Sequence, residues 1–107
     1  MVSSVLHRAS GIVLALGLPG LAVWITSVAT GGGYASAVEA VLTSWFGTLA
    51  LIGWTLALMF HLMNGLRHLG LDAGRGWGLP SARTNAAMAG IAAVVLTSLI
   101  WLIVIFA

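Results

Sequence analysis

Apolar residues fill three long stretches of the chain, and all the charged residues lie outside these stretches. The uncharged stretches cover residues 9–38, 40–66 and 84–107. A helix needs about 20 mostly apolar residues to cross a hydrocarbon core of about 30 Å. The pattern therefore predicts three transmembrane helices, over about 4–29, 38–68 and 81–107. These would fill residues 1–107 as one transmembrane domain, an all-α bundle with up-down-up topology.

Glycine and proline mark the expected breaks between the helices. Residues 30–34 contain three consecutive glycines and predict a short loop after the first helix. Gly70 to Pro80 predicts a second loop, and Ser81 is placed to cap the third helix. Pro19 lies inside the first helix, where a kink is expected because proline removes one helical hydrogen bond.

The composition leaves no room for a water-facing domain. Apolar residues make up 61% of the chain and charged residues 6%, and the mean hydropathy is +1.13. A soluble domain carries about 25% charged residues. Cysteine is absent, which excludes a disulfide framework, cysteine-held iron–sulfur clusters and a thiol nucleophile. Four arginines carry the positive charge, too few for the clustered basic face of a nucleic-acid-binding protein.

The positions of the arginines predict the orientation of the chain. Arg8 lies at the N-terminal end, Arg67, Arg75 and Arg83 flank or occupy the second loop, and the first loop has only Glu39. Positive residues stay on the cytoplasmic side of a membrane. We therefore expect a multi-pass protein of the bacterial inner membrane, with the N-terminus in the cytoplasm and the C-terminus in the periplasm. The mitochondrial inner membrane is the alternative location.

The tryptophans agree with this orientation in part. Trp24, Trp45 and Trp101 fall in the outer third of the predicted spans. Trp77 falls at the inner interface, as an aromatic belt requires. Trp54 lies in the middle of a span, so it must face protein or lipid for another reason.

His61 is the most informative residue of the sequence. It lies six residues before Arg67, about 9 Å along the helix, at a membrane depth where ionisable groups are costly and usually functional. Four residues follow one another at intervals of four, three and four positions and therefore share one helical face, namely His61, Gly65, His68 and Asp72. A haem iron would satisfy one ring nitrogen of His61, and a carbonyl or carboxylate the other. Gly65 would leave room for the macrocycle, and His68 with Arg67 would hold its propionates.

The same spacing has a structural alternative. His61 would then be hydrogen-bonded to a neighbouring helix, and Gly65 would be ordinary small-residue packing between helices. Spacing alone leaves both interpretations open.

A second polar group begins the first helix. Ser4, Arg8 and Gly11 lie at positions i, i+4 and i+7, hence on one face near the membrane boundary. Arg8, next to His7, can donate charge-assisted hydrogen bonds to a propionate or a polarised carbonyl. Ser4 adds a hydroxyl one turn away. The alternative is that Arg8 only reaches toward the headgroups and sets the topology.

Two segments together resemble the cytochrome b subunit of succinate dehydrogenase, of the type with one haem. Ser4–Gly11, SVLHRASG, is similar to that family's S-x-x-H-R-x-[ST]-G. His61–Gly76, HLMNGLRHLGLDAGRG, is similar to its H-x-x-x-G-[IL]-R-H-x-x-x-D-x-G. The resemblance covers essentially the whole chain. In one respect the chain departs from it, because family members usually carry a polar segment before the first motif.

The resemblance implies a membrane anchor whose haem b is held between two membrane subunits, each giving one axial histidine. His61 is the implied ligand here, Ser4 and Arg8 are implied in ubiquinone binding, and His7, Arg8 and His68 are implied near the haem propionates. The implied partners are a second membrane anchor subunit, an iron–sulfur subunit and a flavoprotein subunit, which carry the clusters and FAD. This chain would perform no succinate chemistry by itself.

Two other hypotheses stand beside this haem-bearing, quinone-binding anchor. One is a haemless structural anchor of the same complex. His61 argues against it, because a haemless anchor need not keep an imidazole at that membrane depth. The other is an unrelated small transporter or channel subunit that uses His61 as a proton relay. Such proteins often need polar residues through the full membrane depth, and the embedded part of the third helix offers only Thr97 and Ser98.

Overall fold

The chain forms an all-helical bundle in the computed structural model, which describes residues 2–72 and 82–107, with side chains for 4–69 and 87–107. The helices of these ranges are α1 Val2–Thr30, α2 Gly32–Thr43, α3 Trp45–Asp72 and α4 Ala82–Phe106. Three segments are long and apolar enough to cross a membrane, namely Ser4–Thr30, Trp45–Leu69 and Ala87–Phe106. The prediction of an all-α chain with three spanning helices is confirmed.

The connection between α1 and α2 is a single residue. Gly31 and Gly32 have φ angles of +70° and +67°, in the left-handed region that favours glycine. The sequence predicted a loop over 30–34, whereas the structure resumes a helix at Gly32 because two glycines suffice to redirect the backbone. The Tyr34 hydroxyl then lies 3.0 Å from Thr26 Oγ1, which ties the start of α2 to the end of α1.

The second predicted helix, over 38–68, is divided at Ser44 into α2 and α3. The backbone of Ser44 is extended, and its hydroxyl donates to the carbonyl of Val41 at 2.6 Å. The same hydroxyl accepts the backbone N–H of Gly47 at 3.1 Å, which caps the first turn of α3. A Cβ at position 47 would overlap with the Val41 carbonyl, so the turn requires glycine there.

α3 is the central helix, and α1, α2 and α4 all contact it. α1 and α3 run antiparallel, since Ser10 meets His61 near one end and Gly17 meets Trp54 further along. Within 4–69 and 87–107 the buried residues are small or polar, namely Ser10, Ser27, Gly47, Asn64, Ala89, Ala93 and Thr97. Large apolar side chains are exposed along every span, as expected of helices that face lipid or the helices of other subunits.

Some predictions concern residues 73–81, which lie outside the described residues. They include most of the second loop, the cap at Ser81, and the positions of Arg75 and Trp77.

Pro19 lies within the described part of the chain, and α1 continues as helix through it.

Candidate functional site

The first turns of α1 and the C-terminal half of α3 bring the three histidines together. The rings of His7 and His61 are stacked, with centroids 4.0 Å apart and planes 11° apart. The ring of His68 meets that of His7 edge-on, with centroids 5.9 Å apart. His61 and His68 are two turns apart on one face of α3, and the antiparallel packing of α1 lets His7 contact both. We call His7, His61 and His68 the histidine cluster.

Ser10 connects α1 to the ring of His61. Its hydroxyl donates to the main-chain carbonyl of His7 at 2.8 Å and lies 3.1 Å from His61 Nδ1. A serine hydroxyl has one hydrogen, so with that hydrogen on the carbonyl of His7, Nδ1 carries its own hydrogen and donates to Ser10. The neutral ring then has its lone pair at Nε2. No hydrogen bond from the described residues reaches this Nε2 atom.

Gly11 allows the His61 ring to lie close to α1. A Cβ at position 11 would be 3.2 Å from His61 Cε1 and 3.7 Å from Nδ1. The first of these distances is tighter than an ordinary carbon contact of about 3.5–4.0 Å. The Nδ1–Cε1 edge of the ring therefore faces α1, where Ser10 and Gly11 together define its position.

The histidine cluster is not arranged to chelate a single metal ion. The lone pair of an imidazole nitrogen lies in the plane of its ring. The stacked rings of His7 and His61 therefore direct their lone pairs along parallel planes and not toward one common ion. Across residues 4–69 and 87–107, no three His, Asp or Glu side chains form a group that could hold an ion. An axial haem position needs only one nitrogen from this chain. A neutral imidazole whose Nδ1–H is bonded and whose Nε2 is available meets this need, so the residues present fit one axial position of a haem.

Gly65 leaves open space one turn beyond His61. A Cβ at position 65 would meet nothing within 4 Å. No helix of the described ranges therefore packs closely on this glycine, which is the contact that small-residue packing within the chain would need. The space is available to a flat ring or to a helix of another subunit.

The structure brings Ser4 and Arg8 to the same end of the bundle as the histidine cluster. Both side chains are exposed, one turn apart on α1. Neither makes a hydrogen bond or an ion pair with the residues that the structure describes. Arg8 directly follows His7, so its guanidinium is attached beside the histidine cluster.

Sequence reasoning assigned no role to two polar residues that the structure singles out. Ser10 lies within the first motif, but its contact with His61 depends on how α1 is aligned along α3, which no sequence spacing reports. Asn64 is completely buried, and its Oδ1 accepts a hydrogen bond from Arg67 Nη1 at 3.2 Å. The sequence did carry a signal for this contact, because Asn64 and Arg67 are three residues apart on one helix and side chains at that spacing are neighbours.

Comparison with known proteins finds similar sequences along nearly the whole chain. The sequence model of the succinate dehydrogenase/fumarate reductase transmembrane subunit family matches residues 1–100. The succinate dehydrogenase cytochrome b556 subunit of Paracoccus denitrificans is 34% identical over 105 residues, which are 98% of this chain and 80% of that protein. The corresponding subunit of Rickettsia felis is 26% identical over 98 residues, 92% of this chain and 76% of that protein. The mitochondrial succinate dehydrogenase cytochrome b560 subunit of Sus scrofa is 32% identical over 103 residues, 92% of this chain and 57% of that protein.

Proposed function

The chain belongs to the succinate dehydrogenase/fumarate reductase transmembrane subunit family, and from this premise we propose that it is a haem-bearing, quinone-binding anchor of succinate dehydrogenase. It binds haem b together with a second anchor subunit and forms part of the ubiquinone-reduction site, which links the citric acid cycle to the respiratory chain. One observation carries the proposal. His61 lies inside the span Trp45–Leu69, with Nδ1 bonded to Ser10 and Nε2 available to iron.

In this proposal, His61 Nε2 would bind the haem iron on behalf of this chain. Haem b supplies a one-electron redox centre inside the membrane when it is bound. Arg8 would offer the propionates a permanent positive charge, and the imidazoles of His7 and His68 would offer them further hydrogen-bond donors. Gly65 would leave space for the macrocycle, and the finding that a Cβ there meets nothing within 4 Å supports this role.

Ser4 and Arg8 form this chain's part of the quinone site. Reduction of a quinone places negative charge on its carbonyl oxygens, and a fixed guanidinium with a nearby hydroxyl stabilises that charge where water is scarce. The acceptor is lipid-soluble and the electrons come from a soluble subunit, so the site belongs at a membrane boundary. The exposure of both side chains at the N-terminal end of α1 supports this assignment.

The remaining redox centres belong to other subunits. The chain has no cysteine, so it cannot hold iron–sulfur clusters by the thiolates they need. We assign the clusters to an iron–sulfur subunit and FAD to a flavoprotein subunit, where succinate is oxidised. The exposed apolar side chains of the three spans offer surface for lipid and for the second anchor subunit, which supplies the other axial histidine.

The proposed location is the bacterial inner membrane, with the N-terminus in the cytoplasm and the C-terminus in the periplasm. Arg8 and Arg67 lie at the same end of the antiparallel pair α1 and α3, which supports a common cytoplasmic side for both. Topology reporters fused after Ala107 and within residues 74–78 should respond oppositely. The same response from both would overturn this topology.

Purification of the complex in mild detergent tests the proposed function as a whole. We expect the chain to co-purify with a flavoprotein, an iron–sulfur protein and a second small membrane subunit. The dithionite-reduced complex should show the α-band of a low-spin b-type haem. The same four subunits without that band would identify a haemless anchor instead. A chain that purifies with no subunit of succinate dehydrogenase would contradict the proposal.

A further inference from the structure

We propose that Ser10 is a positioning residue for the haem ligand. Its hydroxyl fixes the tautomer and the orientation of His61 and thereby lowers the redox potential of the haem. This inference rests on the proposed function, because it takes His61 as the axial ligand. It assigns a role to Ser10, which is not among the proposed haem-binding or quinone-binding residues.

The direction of the hydrogen bonds follows from counting hydrogens. The carbonyl of His7 can only accept, and the Ser10 hydroxyl donates its one hydrogen to that carbonyl at 2.8 Å. The contact of 3.1 Å between Ser10 Oγ and His61 Nδ1 must then use the hydrogen on Nδ1. In the opposite arrangement Nε2 would carry the hydrogen and could not bind iron. The carbonyl of His7 therefore selects, through Ser10, the tautomer of His61 that can ligate.

The surroundings of Ser10 strengthen this hydrogen-bond chain. Ser10 is 7% exposed and lines an apolar groove of about 440 Å³ between α1, α3 and α4. Hydrogen bonds are stronger in such a low-dielectric environment, where few water molecules compete for the same atoms. Gly11 leaves room for the ring edge at the distance of this contact, because a Cβ at position 11 would be only 3.2 Å from His61 Cε1.

The effect on the iron follows from the basicity of the ligand. An imidazole that donates its second N–H to an acceptor is a more basic ligand, and loss of such a partner typically changes metal affinity by about 10–100-fold. A more basic imidazole favours oxidised iron over reduced iron. If removal of the Ser10 hydroxyl changes that preference tenfold, the midpoint potential of a one-electron couple rises by about 59 mV.

The test is a redox titration of the intact complex carrying Ser10→Ala, Ser10→Thr or Ser27→Ala. Ser27 is the matched control, since it is buried on the same helix and its hydroxyl donates to the carbonyl of Trp24 at 2.7 Å, again three residues earlier. We expect Ser10→Ala to keep a low-spin haem with a raised midpoint potential. The rise is about 59 mV for each tenfold loss of the preference for oxidised over reduced iron. Ser10→Thr keeps the hydroxyl and should titrate like the parent, as should Ser27→Ala.

Each other outcome has a definite meaning. A Ser10→Ala complex with the parent potential overturns the inference, and so do equal shifts in Ser10→Ala and Ser10→Thr. If Ser10→Ala loses haem, retention in Ser10→Thr supports the need for the hydroxyl, whereas loss in both overturns it. An unaltered low-spin spectrum in a His61→Ala complex would instead show that the proposed function has failed.

Discussion

Two rings of α3 lie against glycines of α1, and they differ in how their ring nitrogens are satisfied. Near one end of the bundle the His61 ring faces Gly11, and further along α1 the Trp54 ring faces Gly17. His61 Nδ1 is bonded to Ser10, whereas Trp54 Nε1 is buried with no hydrogen-bond partner among the described residues. A glycine that lets two helices approach therefore accommodates a hydrogen-bonded ring at one contact and a ring without a described hydrogen bond at the other.

The two contacts also differ in the space that they leave. A Cβ at position 17 would overlap with the indole of Trp54, whereas a Cβ at position 11 would be tight at 3.2 Å from His61 Cε1. The contact of Gly17 with Trp54 thus has no room for a Cβ, while the contact of Gly11 with His61 would accept one after a small shift of the ring. Changes at Gly17 should act on assembly, and changes around His61 should act on the redox centre.

The largest effect on function is expected from Arg8→Leu, at the histidine end of α1. Loss of a preorganised donor at a site of developing charge typically lowers a rate about a hundredfold, so quinone reduction by succinate should fall on that order. Ser4→Ala should have a smaller effect, because Arg8 remains. Thr26→Val, at the other end of α1, is the control and should leave the rate unchanged. Succinate oxidation with a dye that accepts electrons from the soluble subunits should persist in all three variants.

A parent rate of quinone reduction in a correctly assembled Arg8→Leu complex would remove Arg8 from the quinone site. The residue would then keep only its roles in topology and at the propionates.

Gly17→Ala should have the next largest effect, on the stability of the complex. Overpacking a filled contact typically costs about 1–3 kcal/mol, and a Cβ here overlaps with the Trp54 ring. The melting temperature of the purified complex should fall, and Trp54→Ala in the same chain should restore part of the loss. Gly20→Ala is the matched control on α1, because a Cβ there meets nothing within 4 Å. Equal melting temperatures for Gly17→Ala and Gly20→Ala would refute the packing role.

Gly11→Ala should have the smallest effect, and it should be on the haem and not on assembly. The His61 ring must shift by a few tenths of an ångström to relieve the contact at 3.2 Å. That shift lengthens the bond to Ser10, so the midpoint potential should rise, but less than in Ser10→Ala. A redox titration beside Gly20→Ala measures the difference. A Gly11→Ala complex with parent potential would mean that the ring position does not depend on this glycine.

The sequence predicted the features that depend on local pattern and missed those that depend on helix alignment. Long uncharged stretches predicted the three spans, and the spacing of His61 and His68 placed them on one face, where both contact His7. The cap at Ser44 was missed, because a serine inside an apolar run gives no periodic signal. The partners of His61 and Trp54 on α1 were also out of reach, since they depend on how two helices are aligned in space. The roles of the site residues in haem and quinone binding stay predictions.

The central claim is that His61 ligates the haem, and the reduced-minus-oxidised spectrum of the purified complex tests it most directly. We predict that His61→Ala removes the low-spin b-type α-band or converts it to another form, because the proposed iron ligand of this chain is then absent. The same substitution at His68 should only perturb the band, since that residue is assigned to the propionates. An unaltered low-spin spectrum in an assembled His61→Ala complex would contradict the account.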